Sequence, residues 1–209
     1  MARYIKRSSD GEVIDLENAE ANQADITANA KRVIVTDGTN NIAVDSIDSS
    51  IGTITSAHIK VHQGNFYNIS KLFENVADDS NAEILLKVGS NKKLHFTTIV
   101  TVGGTSHVYL YESPTVSDNG TQLAIYNMNR SSSNTSDATA YYSPTVASAG
   151  TELSSVLAEG GTGPKAIGSQ ARNDGEWILE KSTDYLIRVT NKSGAVNDIS
   201  IEIAFYESD

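Results

Sequence analysis

"DISIEIAFYE", Asp198 to Glu207, decides the fold class of this chain. Ile199, Ile201, Ile203 and Phe205 alternate with Ser200, Glu202, Ala204 and Tyr206. Successive side chains of an extended chain point to opposite faces, so this period of two gathers four large apolar groups on one side. The stretch reads as a half-buried β-strand. "KLHFTTIVTV", Lys93 to Val102, repeats the pattern, with Leu94, Phe96, Thr98, Val100 and Val102 on one face and His95, Thr97 and Thr101 on the other. Between these two stretches, "HVYLYE", "QLAIYN", "ATAYY", "ELSSVL", "EWILE" and "DYLIRVTN" are short runs rich in β-branched and aromatic residues. Each is bounded by Gly, Pro, Asn, Asp or Ser, which favour turns. Only "NISKLFENV", Asn68 to Val76, reads as a helical turn inside this body. Eight to ten short strands with almost no helix give an all-β protein, a jelly-roll-like β-sandwich, over residues 56–209.

The first 55 residues differ. They are rich in Ala, Asn and acidic side chains, and a sparse stripe of Leu16, Ala19, Gln23, Ile26, Ala30 and Val33 runs at spacings of three and four. That is a helical period, but so thin a stripe buries little apolar area. The segment reads as an extended or partly helical arm. Within it, "RVIVTDGTNNIAVDS", Arg32 to Ser46, reads as a short hairpin, because two β-branched runs flank Asp37-Gly38, a pair that tolerates a tight turn. The expected organisation is an arm with a hairpin over 1–55 and a sandwich body over 56–209.

One phrase is written twice. "YESPTVSDNGTQL", Tyr111 to Leu123, returns as "YYSPTVASAGTEL", Tyr141 to Leu153, and the two copies hold two of the three prolines. Proline has no N–H to give a ladder, so pairing is expected to stop at Pro114 and Pro144. Gly120 and Gly150 then turn the chain into the next strand. Solenoids need about three or more copies, so two copies read as two hairpin corners of one sandwich.

Composition excludes several chemistries. The 209 residues include no cysteine, which removes disulfides, thiolate-bound metals and thiol nucleophiles. A net charge of −10 argues against a general nucleic-acid binder, whose affinity rests on basic side chains. No window approaches the roughly 20 apolar residues of a membrane span, and no apolar core follows Arg3, Lys6 and Arg7 as in a signal peptide. Four histidines invite a metal site. Ile59 and Val61 alternate as in a strand, however, and there His58 and His62 would stand about 13 Å apart, too far to share one ion. His95 and His107 read as residues of paired strands, without supporting carboxylate spacing, so no metal and no cofactor is expected. "AEGGTGPKAIGSQ", Ala158 to Gln170, lacks the lysine that a phosphate loop carries after its last glycine and reads as a surface loop. Nothing marks out a catalytic pair among 26 acids, and Trp177 beside Ile178 and Leu179 reads as core. The chain is not expected to be an enzyme.

Three stretches carry a family resemblance. They are "SAHIKVHQGNFYNIS" from Ser56, with its His58, His62, Gly64 and Phe66; the Asn127-Met128-Asn129-Arg130-Ser131 run; and the ending from Trp177 through Tyr185, Arg188, Asn191 and Asn197 to Phe205-Tyr206-Glu207. Together they resemble tailed-bacteriophage head-decoration (cement) or head-fibre-like virion proteins, over roughly Ala57 to Asp209. The resemblance implies a non-enzymatic sandwich that coats the capsid exterior after assembly in the host cytoplasm. It also implies binding to the major capsid protein and homo-oligomerisation, with a trimer favoured. Arg3, Tyr4, Ile5, Lys6 and Arg7 are the candidate capsid-attachment residues, three of them cationic against an otherwise acidic chain. The alternative is a fibre module that binds carbohydrate or a host receptor, with Tyr109, Tyr111, Tyr126, Tyr141 and Tyr142 as stacking platforms for surface glycans.

Overall fold

A computed structural model describes residues 57–160 and 176–208 in full, with the backbone of Ser56 and of short strands at 4–6, 13–15, 35–36, 41–42 and 169–172. The chain divides into two units, Met1–Ile54 and Thr55–Asp209. In the first, β1 (Tyr4–Lys6) pairs antiparallel with β2 (Val13–Asp15), and β3 (Val35–Thr36) with β4 (Asn41–Ile42). The β3/β4 pairing falls inside the expected hairpin, while its Asp37-Gly38 turn and the Leu16 to Val33 stripe lie outside the described residues.

The second unit begins with helix α1 (Ser56–His62) and continues in strands. These are β5 (Phe66–Val76), β6 (Asn81–Lys87), β7 (Lys93–Val102), β8 (Ser106–Glu112), β9 (Thr115–Asp118), β10 (Thr121–Leu123) and β11 (Tyr126–Asn127). The series runs on through β12 (Thr139–Tyr142), β13 (Thr145–Ser148), β14 (Thr151–Ala158), β15 (Ser169–Arg172), β16 (Trp177–Leu179), β17 (Asp184–Asn191) and β18 (Asn197–Ser208). One sheet has the order β10-β12-β6-β17-β8-β14; the other runs β11-β5-β18-β7-β15, with β16 also on β7. Every pairing is antiparallel. Within these sheets lie the sets β5-β18-β7-β15 and β6-β17-β8-β14. Strands adjacent in sequence cross from one set to the other, which is the winding of a jelly roll.

The alternation read in the sequence is the core. Ile199, Ile201, Ile203 and Phe205 of β18 are buried, as are Leu94, Phe96, Val100 and Val102 of β7 beside them. Each such side chain contributes about 1.5–3 kcal/mol on burial. Tyr67, Ile69, Ala82, Ile84 and Leu86 complete the facing layers.

Three local expectations are corrected. Asn68 to Val76 is no helical turn but most of β5, eleven residues paired along β18. The stretch around His58 and His62 is helix, not strand. His95 and His107 lie on β7 and β8, which belong to different sheets and do not pair.

The doubled phrase is also corrected. Its copies do not form two separate hairpins; they interlock. β9 of the first pairs with β13 of the second. β10, which ends the first copy, pairs with β12, which opens the second. β14, which ends the second, pairs with β8, which opens the first. The prolines do interrupt the ladders, between β8 and β9 and between β12 and β13. Ser113 and Ser143 before them both adopt left-handed backbone, φ 56° and 53°, and Gly120 and Gly150 do the same at 85° and 88°. The two copies thus exchange strand partners in an approximately twofold way.

Candidate functional site

The outer face of the β6 sheet carries most of the aromatic side chains proposed as platforms. Across neighbouring strands the registers Gln122↔Tyr141, Tyr141↔Leu85, Leu85↔Leu186, Leu186↔Tyr111 and Tyr111↔Glu152 form one continuous row. Leu85 and Leu186 are completely buried in it, though they point away from the inner core. The next row sets Glu83, Arg188 and Tyr109 side by side. Tyr109 and Tyr111 stack at 5.7 Å, the Arg188 guanidinium lies 5.6 Å from the Tyr111 ring centre, and Arg188 Nε donates to Glu83. Burial raises the Tyr111 phenol above its ordinary pKa while Arg188 pulls it back. Tyr142 is engaged elsewhere, with Lys71 Nζ 4.2 Å from its ring and Phe73 edge-on. Tyr126 is the most open of the five, 58% exposed, with Arg130 over its ring at 5.6 Å.

Helix α1 and the loop after β11 form a second cluster. His58 and His62, one helical turn apart, bring their Nε2 atoms to 2.9 Å with ring centres at 4.6 Å. Among the described residues no three His, Asp or Glu side chains gather as metal ligands. The Asn127 to Ser131 run clamps this helix to the sheet. Asn127 Nδ2 donates to Gly64 O at 2.8 Å and to Asn134 O at 3.1 Å, and its Oδ1 accepts from Asn129 N. Asn129 Nδ2 reaches His62 O, and Asn134 Nδ2 reaches Gln63 O.

A third cluster lies on the solvent side of β7 and β18. His95 Nδ1 is 3.0 Å from Glu176 Oε1, and His95 Nε2 is 3.1 Å from Ser208 Oγ. Serine, imidazole and carboxylate thus stand in the sequence of a nucleophile, its base and the group that orients the base. Acyl transfer also needs N–H donors aimed at a developing oxyanion. The neighbouring Glu207 N–H instead donates to Asn65 O. Tyr206 lies flat against His95, with ring centres 4.3 Å apart, and also stacks on Phe66. Burial, then a hydrogen bond to Glu176, pushes the Tyr206 phenol up to about 12. The cluster ties the end of β18 to β7 and to the residue before β16.

Sequence reasoning missed Glu207. It lies on the apolar face of β18 and is 2% exposed. Oε1 accepts from Ser136 Oγ at 2.6 Å and from Asp137 N at 2.7 Å, and Oε2 faces Lys92 Nζ at 3.3 Å. The inward phase of the Ile199 to Phe205 alternation carries through to Glu207, and that was the available signal. Of the other marks of the resemblance, Tyr185 and Asn191 are interior, while His58, His62 and Met128 are exposed. Tyr185 is buried, donates to Glu112 Oε1 at 2.9 Å and accepts from Glu180 N. Burial drives its phenol up to about 12. Asn191, fully buried, donates to Val76 O and Ala195 O. Trp177 packs against the core, as its apolar neighbours indicate.

Of the attachment candidates, Tyr4, Ile5 and Lys6 form β1, opposite Asp15, Ile14 and Val13. Arg3 and Arg7 lie outside the described residues, as does most of the Gly-rich segment apart from β15. No family model matches the chain, and no curated protein matches it in sequence.

Proposed function

We propose that the chain is a structural virion protein that decorates or stabilises the exterior of a tailed-phage capsid. Residues 1–55 grip the major capsid protein or a neighbouring copy, and the jelly-roll body faces outward as part of a homotrimer. The observation that carries this reading is the division of the chain at Ile54/Thr55. It separates an N-terminal unit with short paired strands from a body that builds its own core from β5 onward. Repetition over a capsid lattice multiplies a weak contact through residues 1–55 into a firm one. The resemblance of the body to head-decoration and head-fibre-like proteins points the same way.

The test is a chain truncated to begin at Thr55, mixed with bare heads of the phage and imaged by cryo-microscopy. It should keep its β-rich circular dichroism and leave the heads undecorated, while the full chain adds density at symmetry-related positions. Equal decoration by the truncated chain would overturn the assignment of attachment to residues 1–55. Absence of decoration by the full chain would overturn the function itself. A second reading, a glycan-binding fibre module, is favoured by the exposure of Tyr126. A glycan array in which the full chain binds and Tyr126→Ala does not would select it.

A further inference from the structure

His58 and His62 are exposed on α1, four residues apart. The separation of about 13 Å that argues against a shared ion belongs to a strand. On a helix, residues four apart are neighbours on one face, the spacing with which paired histidines chelate metals. So short a helix is also held from outside. Asn129 Nδ2 donates to His62 O, Asn134 Nδ2 donates to Gln63 O, and Asn65 N donates to Lys60 O at 2.9 Å. The turn that carries His62 is thereby fixed to the body.

The two Nε2 atoms are 2.9 Å apart and the ring centres 4.6 Å apart, with 63° between the ring planes. An imidazole centre lies about 1.1 Å behind its nitrogen, so a head-on N–H···N bond of this length would hold the centres about 5.2 Å apart. The rings are inclined instead. Two imidazole nitrogens bound to one ion at about 2.0–2.1 Å stand about 2.9 Å apart at a right angle, with ring centres about 4.5 Å apart. At the tetrahedral angle the nitrogens would be about 3.3–3.4 Å apart and the centres about 5.2 Å. Both observed spacings match the right angle.

We propose that His58 and His62 form a two-nitrogen site for a divalent ion that prefers right-angled coordination, Cu(II) foremost and Ni(II) after it. The Nε2 lone pairs take adjacent positions on the ion. No third His, Asp or Glu among the described residues joins them, so water completes the coordination. The ion replaces the hydrogen between the nitrogens, and the ring that held it carries its proton on Nδ1 instead. The site needs only the body and is independent of the virion role.

The untagged full chain is titrated calorimetrically with copper(II) chloride in a weakly coordinating buffer, and the equimolar complex is examined by electron paramagnetic resonance. The native chain should take up one tightly held ion, with an axial spectrum showing two equatorial imidazole nitrogens. Joining a second ligand to the first contributes about a hundredfold in affinity, so His58→Asn and His62→Asn should each weaken binding by about that factor. His107→Asn should not. The exchange His62→Gln with Gln63→His keeps all four histidines but moves one off the shared face, and it should lose as much as His62→Asn. His58, His62 and Gln63 are all exposed, so these variants should fold, which circular dichroism checks. Three results would overturn the proposal: native binding no tighter than that of His58→Asn, full affinity in the folded exchange variant, or a spectrum with a single imidazole nitrogen.

Discussion

Gly120 and Gly150 are the points at which the interlocked repeat is most exposed to a single added carbon. A Cβ on Gly150 would fall on Glu112 O and on Ser113 C and O; a Cβ on Gly120 would fall on Tyr142 O and on Ser143 O and C. Each glycine therefore meets the equivalent backbone of the opposite copy. All these approaches are closer than the 3.0 Å that real Cβ atoms respect, and the atoms are backbone, which cannot swing aside. The backbone at both positions is left-handed, costing an alanine about 1–2 kcal/mol. Forcing the carbonyls apart adds about 1–3 kcal/mol, as overpacking does elsewhere. The expected destabilisation is thus about 2–5 kcal/mol for Gly150→Ala and the same for Gly120→Ala.

In a unit of this size roughly 2–4 °C of melting temperature follow each kcal/mol, so each variant should melt about 4–20 °C lower. Urea unfolding followed by Trp177 emission should show a lower midpoint at unchanged slope. The double variant distinguishes one interlocked unit from two independent turns. Once one alanine has opened the β9/β13 ribbon, the second finds its clash partly relieved, so the pair should cost less than the sum by about 0.5–3 kcal/mol. Losses below about 1 kcal/mol for either single variant, or strict additivity in the double, would refute the interlocked reading.

Glu207→Ala should cost about 3–5 kcal/mol, because it strands the Asp137 N–H and the Ser136 hydroxyl beside Lys92, and Glu207→Gln only about 1–3 kcal/mol; urea titrations of both variants check this. Tyr185 and Tyr206 should resist ionisation until about pH 12 in a spectrophotometric titration. Their folded pKa values lie above the unfolded value near 10, so the unfolded chain releases their protons first. Stability should therefore be unaffected by them below pH 10 and fall between pH 10 and 12, which melting curves across that range measure. Thr98→Val removes a hydroxyl without a partner at nearly constant shape and should stabilise the free protein by about 1 kcal/mol, seen as a higher melting temperature.

The parts of the fold that were legible are those in which one residue's neighbours in sequence determine its face. β18 and most of β7 alternate cleanly and lie next to each other in the middle of a sheet, so period two survives along both. β5 was not legible for a specific reason. Ile69, Leu72, Phe73 and Val76 recur at helical spacing, but Leu72 is exposed on the outer face. A register shift opposite Asn197 and Ile199, beside the left-handed Asn75, resets the phase so that Val76 turns inward. α1 has only seven residues, too few for a helical period to outweigh the alternating Ile59 and Val61. The repeat itself was visible, but its pairing partners were not, because a strand's partner is chosen by long-range topology. Glu207 was hidden by its charge, which argues for solvent until the three donors around it are placed.

Several of the residues that carry the family resemblance perform architectural work, and this limits what they say about partners. Asn127 clamps α1, Asn191 bonds two backbone carbonyls from inside the fold, Tyr185 bridges Glu112 and the Glu180 amide, and Glu207 joins β18 to the loop before β12. A buried polar residue with all its partners inside one fold is retained wherever that fold is used, whatever its surface touches. Partner choice must then reside in groups that the core does not need. In the body these include the exposed Tyr126, Met128, Leu72, Ile178 and Val196. None of them is needed to close the sandwich, so each can be changed with little effect on stability. Substituting them separates the two readings. Capsid attachment through residues 1–55 should survive Tyr126→Ala and Met128→Ala together, whereas a glycan platform on the body should not.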